Sequence, residues 1–245
     1  MNRLLGHAAA AARRTVRQVA RSRLLLLAVA GAAALVSALL PDVPDAARVV
    51  GAAAMTLHFA IVVTTTGVPG DDLASGALAN DLLAGTPPLA AVLGGVAGAV
   101  VAALPSALAV GVLAGPRLSG EPSGMLAVSL IIVALGGAAI ASTAVALGTV
   151  FPGRAATVLM LVVVIGGEVP PSMLPLDHYP PALAAAARET WSILPLPHQV
   201  RAGVGALTVG QPVAPHALPL LVGTIAAVAA GTLVLRLRIA TGRWS

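Results

Sequence analysis

Apolar residues along this chain gather in long blocks separated by short polar punctuation, instead of alternating or recurring along one face. Six blocks stand out, at 24–40, 49–68, 89–114, 125–150, 155–169 and 218–235. An α-helix needs roughly 20 apolar residues to cross the hydrocarbon core of a bilayer, and the blocks lie close to that length. The breaks between them are turn formers: Pro41-Asp42-Val43-Pro44, Pro69-Gly70-Asp71-Asp72, the stretch 116–124, and Phe151-Pro152-Gly153-Arg154. Pro105 inside the third block predicts a kink. The pattern therefore predicts an all-α polytopic membrane protein of about six transmembrane helices in one domain spanning 1–245.

Three segments depart from the block pattern. Residues 1–23 are polar and basic. At about 100° per residue Arg13, Arg14, Arg17 and Arg21 share one quadrant, with Ala12, Val16 and Val19 opposite. That arrangement predicts an amphipathic helix lying at an anionic membrane surface. A secretory signal peptide also begins with charge and continues apolar, but the long first block and the spans behind it favour an uncleaved helix. Residues 71–88 form a short polar connection holding Asp71, Asp72, Asn80 and Asp81 and closing at Thr86-Pro87-Pro88. Residues 170–216 carry nine prolines between short apolar runs, which predicts short helices lying at one interface or dipping into it.

Composition sharpens this picture. Hydrophobic residues are 58% of the chain, charged residues 9%, and the mean hydropathy is +0.97. A soluble domain carries about 25% charged residues, so most of this surface must face lipid or protein. The net charge of +5 rests on arginine alone, because the chain has no lysine. Without lysine there is no P-loop, whose lysine contacts the nucleotide phosphates. Without cysteine there are no disulfides, thiolate metal sites or C-x-x-C redox pairs. The basic pI near 11.4 does not indicate nucleic acid: the arginines flank apolar blocks, and only five aromatics are available for stacking.

The arginines also set an expected orientation. With a cytoplasmic N-terminus and six alternating spans, ten arginines fall on the cytoplasmic side (six in 1–23, Arg154, and three beyond 235). Four fall on the far side: Arg48, Arg117, Arg188 and Arg201. This bias fits the positive-inside rule, placing both termini in the cytoplasm of a cell whose cytoplasmic membrane holds the chain.

Candidate chemistry is sparse. His58 lies inside the second block and Glu168 at the far end of the fifth, and an ionisable group at membrane depth is a functional candidate by default. Their alternatives are structural, with Glu168 reaching to water beside Pro170-Pro171 and His58 hydrogen-bonded within the helix bundle. The G-x-S-x-G and H-E-x-x-H motifs are absent, and no His/Asp/Glu set has metal-ligand spacing. Gly94 and Gly98 form G-x-x-x-G, while Gly137, Ala141, Ala144 and Gly148 line one face of the fourth block. Both patterns predict close helix contacts, within or between chains.

In order along the chain, these features resemble the membrane subunit of an ABC-2 type exporter. Asp71-Asp72-Leu73-Ala74-Ser75-Gly76-Ala77-Leu78, continuing to Leu82-Leu83-Ala84-Gly85-Thr86-Pro87, is similar to the family's stretch between spans two and three. Ala77 stands where threonine is common, and the gap from Gly76 to Pro87 is about two residues longer than the resemblance implies. Gly166-Gly167, Pro170-Pro171, Leu174-Pro175-Leu176 and Tyr179-Pro180-Pro181, leading to Leu194-Pro195-Leu196-Pro197 and Arg201, resemble the segment before the last span. The resemblance implies that 71–88 is a coupling helix docking on a separate ATPase through Asp71, Asp72, Gly76, Leu78, Leu82, Thr86 and Pro87. It implies two ATPase subunits binding ATP and Mg, a second permease half (a copy or a related chain), no cofactor in this chain, and export of an apolar or amphipathic compound. Competing readings are a membrane scaffold or accessory subunit without its own path, and an ion-coupled carrier using Glu168 and His58.

Overall fold

The computed structural model describes residues 2–21, 23–39, 46–114, 123–194 and 196–242, without the side chains of 24, 32, 35–37, 39, 46, 123–128 and 193. The turn at Pro41–Pro44, residues 116–122 with Arg117, Pro195, Arg243 and Trp244 lie outside the described residues. Among the described residues eleven α-helices follow in chain order: α1 (Asn2–Ala20), α2 (Arg23–Leu39), α3 (Ala46–Thr65), α4 (Val68–Ala74), α5 (Ala77–Leu83), α6 (Pro88–Ala114), α7 (Ser123–Val150), α8 (Gly153–Gly167), α9 (Pro181–Ile193), α10 (Pro197–Thr208) and α11 (Ala214–Thr241). A short 3-10 turn occupies Pro171–Met173.

Proline starts several of these helices, as its fixed φ and missing N–H allow at a first turn. It stands in the opening turn of α4, α9, α10 and α11. The fifth apolar block stops short of its sequence limit because Glu168 takes the C-cap of α8 and Pro170-Pro171 cannot extend the helix. Helix α6 runs through Pro105 as one element.

Helices α3, α6 and α7 form the centre, with α11 against α7 and α6, α2 against α3 and α6, and α8 against α7 and α3. Their shared core holds Leu57, Ile61, Val92, Ile132, Ile140 and Met160. Several hydroxyls inside it are satisfied locally: Thr64 and Thr65 donate to the Ala60 and Ile61 carbonyls at 2.6 and 2.5 Å, and Ser142 to Ala139 at 2.9 Å.

Four helical segments among the described residues are long and apolar enough to cross a membrane: α3 with its continuation to Ala74, α6, α7 and α11. The turn at Thr66-Gly67 divides the first of these, so the spanning part is α3 itself. Large apolar side chains cover their outer faces, among them Leu104, Leu108 and Val112 on α6 and Leu218, Val222 and Ile225 on α11. A water-facing surface would not carry so much apolar area. The protein is an all-helical membrane protein in its described residues. Among the described residues α2 has 17 and α8 has 15, fewer than the roughly 20 that a perpendicular span requires.

Glycine decides where helices touch. The G-x-x-x-G pair on α6 makes an intramolecular contact: α1 lies along it. A Cβ on Gly94 would stand 2.4 Å from the Ala8 carbonyl oxygen and 2.5 Å from Ala11 Cβ. One on Gly98 would stand 2.7 Å from Thr15 Cβ. On α7, Gly137 receives Leu57 and Gly148 receives the Thr66 carbonyl and Pro69.

Candidate functional site

The polar connection 71–88 folds as two short helices where the sequence suggested one. Gly76, at φ 77°, occupies the left-handed region that a side chain would strain, and so turns α4 into α5. Gly85, at φ 96°, does the same between α5 and α6. Leu73, Ala79 and Leu82 point inward and are buried, and Leu78 packs partly on the core. Ala74, Ser75, Asn80 and Leu83 face outward, with Leu83 67% exposed.

Helix α4 is held from two sides. On one side, Gly70 and Gly153 pass so closely that a Cβ on Gly70 would meet Gly153 N at 2.8 Å. A Cβ on Gly153 would meet Asp71 Oδ1 at 2.7 Å. Asp71 thus sits over the first turn of α8, where exposed N–H groups favour a negative charge. On the other side stands α1. Its Gln18 amide donates to Asp72 Oδ1 at 2.8 Å, and Arg14 lies 3.9 Å from Asp72 while pairing directly with Asp81. One guanidinium therefore ties α1 to both α4 and α5. Behind this clamp lies a cavity of about 160 Å³, walled by His7, Thr86, Thr149, Val92 and Leu235 together with the clamp residues. Arg238 Nε, near the end of α11, donates to the Thr149 carbonyl at 3.1 Å and joins the last helix to the same end of the bundle.

The sequence grouped Arg14 with Arg13, Arg17 and Arg21 as membrane-facing cations. The structure turns Arg14 toward the carboxylates and leaves Arg13, Arg17 and Arg21 exposed. Of the candidate docking residues, Asp72, Leu78 and Thr86 border the cavity, Leu82 is buried, and Gly76 and Pro87 set the turns. Asp81 stood in the sequence only as one of the polar residues of the connection, and Gln18 and Leu83 had no role there. For Gln18 the available signal was its i, i+4 spacing from Arg14, which puts both on one helix face.

A second polar group lies at the opposite end of α8. Glu168, at the α8 C-cap, pairs with Arg201 on α10. The Trp191 indole N–H of α9 donates to the Val169 carbonyl at 2.9 Å. His198 Nδ1 lies 3.1 Å from the Gly167 carbonyl, which can only accept, so Nδ1 carries the proton. Gln199 donates its amide to the Ser192 carbonyl and accepts from His216 Nδ1 at 3.1 Å. Residues Leu196–Val200, the start of α10, are all buried among α3, α7, α8 and α11. His58 lies there too, with Nε2 and the Val200 side chain over Gly136, and neither of its nitrogens has a partner. No hydrogen bond or ion pair joins His58 to Glu168 among the described residues.

Burial holds the His198 imidazole below its ordinary pKa; the Gly167 hydrogen bond works against that shift, and the neighbouring His216 adds to it. A depressed histidine pKa means that the neutral ring is the stable folded form. Its contribution to stability is complete above the unfolded value of about 6.5 and is lost as pH falls toward the folded value. Melting of the full chain in detergent should therefore drop as pH is lowered below about 6.5. His198→Gln, which keeps one donor for Gly167, should flatten that profile; a profile identical to the wild type would contradict the assignment.

No protein-family model matches the chain, and no curated protein matches it either.

Proposed function

We infer that the chain is the membrane subunit of an ATP-driven ABC-2 type exporter, with α2, α3, α6, α7, α8 and α11 as its six spans and α4–α5 as the element that receives force from a separate ATPase. The observation that carries this reading is the Arg14 clamp. A short helical pair between two spanning helices is fixed rigidly to α1, to the α8 start and to the bundle, yet offers Leu83 and Asn80 outward. A push on such a pair travels directly into α3 and α6. A loosely tethered polar loop would absorb it.

The resemblance in the sequence supports the same reading, as does the lack of an energy source within the chain. The arginine bias in the sequence, with an even span count, supports both termini and α4–α5 lying on the cytoplasmic side, where ATP is. The working unit would hold two ATPase subunits, which bind ATP and Mg, and a second permease half. The buried start of α10 would close the far end of the path for an apolar or amphipathic cargo. An ion-coupled carrier is the weaker reading, because Glu168 is paired with Arg201 and caps a helix end, instead of standing alone at membrane depth.

Leu83→Arg tests the docking surface. The side chain is largely exposed, so the fold should keep its melting temperature, while association with a P-loop ATPase and ATP-dependent transport should be lost. Retained association would remove α4–α5 as the docking element.

A further inference from the structure

Helix α1 runs beside α6 in the same direction: Ala8 and Ala11 meet Gly94, Ala12 and Thr15 meet Gly98, and Val16 and Val101 border one groove. Arg13 and Arg17 flank that contact, one turn apart on α1, with Arg21 a turn further on. Among the described residues no carboxylate pairs with any of the three, since Asp72 and Asp81 are taken by Arg14 and Gln18.

These cations border two grooves at once. Toward Gln18 and Arg21 the groove is basic; toward Ala12, Val16 and Val101 it is almost wholly apolar, with a volume of about 360 Å³ and Val101 half exposed. Like charges at i, i+4 repel, and arginines alongside a bilayer-spanning helix are costly without an anion. A phosphate between two guanidiniums answers the charge, and a hydrocarbon chain answers the groove. A free phosphate would leave Val16 and Val101 uncovered, and an acidic protein surface would do the same.

We propose that α1 and α6 together form a discrete site for one anionic phospholipid, its phosphate held by Arg13 and Arg17 and an acyl chain laid along Val16 and Val101. The site does not depend on the exporter reading. Its basic groove also borders Arg14 and Gln18, so the lipid bears on the helix that fixes α4 and α5.

The test is native mass spectrometry of the full-length chain in neutral detergent, titrated with phosphatidylglycerol, phosphatidylcholine of the same chains, or inorganic phosphate. The wild type should retain one phosphatidylglycerol in preference to phosphatidylcholine, and inorganic phosphate should not displace it. Arg13→Gln and Arg17→Gln should each weaken retention on the order of fivefold. Val101→Trp, which fills the apolar groove and leaves every charge in place, should also weaken it. Arg236→Gln on α11, which lines neither groove, should change nothing. The substituted positions avoid the Ala8–Thr15 packing face, and unchanged melting confirms the fold. Equal retention of the two lipids, displacement by inorganic phosphate, or wild-type retention in the Arg13 and Arg17 variants would overturn the site.

Discussion

Gly94→Leu should detach α1 from the bundle and abolish function, the largest single effect expected in this chain. The first side-chain atom alone would stand 2.4 Å from the Ala8 carbonyl oxygen and 2.5 Å from Ala11 Cβ, so helix backbone, not a mobile side-chain tip, blocks it. Overpacking a tight contact costs about 1–3 kcal/mol, and more when backbone must move. The cheaper response is for α1 to leave, which also breaks the Arg14 clamp. Trypsin should then cut at Arg13, Arg14 and Arg17 in the folded protein, where the wild type resists. Gly111 on the same helix supplies the control, since nothing lies within 4 Å of a Cβ there. Gly111→Leu should leave stability unchanged or raise it by up to about 1 kcal/mol through helix propensity.

Arg14→Glu should have the second-largest effect, through charge with little change of shape. It removes the cation shared by Asp72 and Asp81 and leaves three carboxylates facing one another. The side chains are only partly exposed, Arg14 at 33% and Asp72 at 14%, so the loss lies between that of a surface pair and a buried one, about 1–3 kcal/mol. At about 1.4 kcal/mol per factor of ten, that corresponds to roughly a fivefold to hundredfold fall in the population of correctly seated α4–α5, and transport should follow it. Pairing Arg14→Glu with Asp72→Arg restores an opposite-charge contact and should recover part of the loss. A double-mutant cycle on melting temperature and transport measures the coupling. Additive losses would show that Arg14 and Asp72 do not act as a unit.

Much of the architecture was legible because block length and proline placement are local properties. The long helices begin and end within several residues of the apolar limits, and prolines stand in the opening turn of α4, α9, α10 and α11. Partnerships were less legible. Gly94-x-x-x-Gly98 announces a close contact, but spacing alone does not name α1 as the helix that fills it. Arg14 shares a face with three membrane-type arginines, and only the packing of α1 on α6 rotates it toward Asp72 and Asp81. Leu82 and Leu83 are adjacent and alike; a rotation of about 100° buries one and exposes the other, and that phase is set by Gly76 and Gly85 in three dimensions. Glu168 read as a lone acid because its partner Arg201 lies 33 positions away, across the α9–α10 excursion.

The most direct test is whether the chain works with an ATPase through α4–α5. The full-length protein, purified from its native membrane in mild detergent, would be assayed for Mg-dependent ATP hydrolysis and for labelling of any co-purifying subunit by a photoreactive ATP analogue. The expected result is hydrolysis and a labelled partner with the wild type, both lost in Leu83→Arg while melting stays unchanged. Absence of both from wild-type preparations that still transport, or equal hydrolysis and labelling in Leu83→Arg, would contradict the coupling role assigned to this surface.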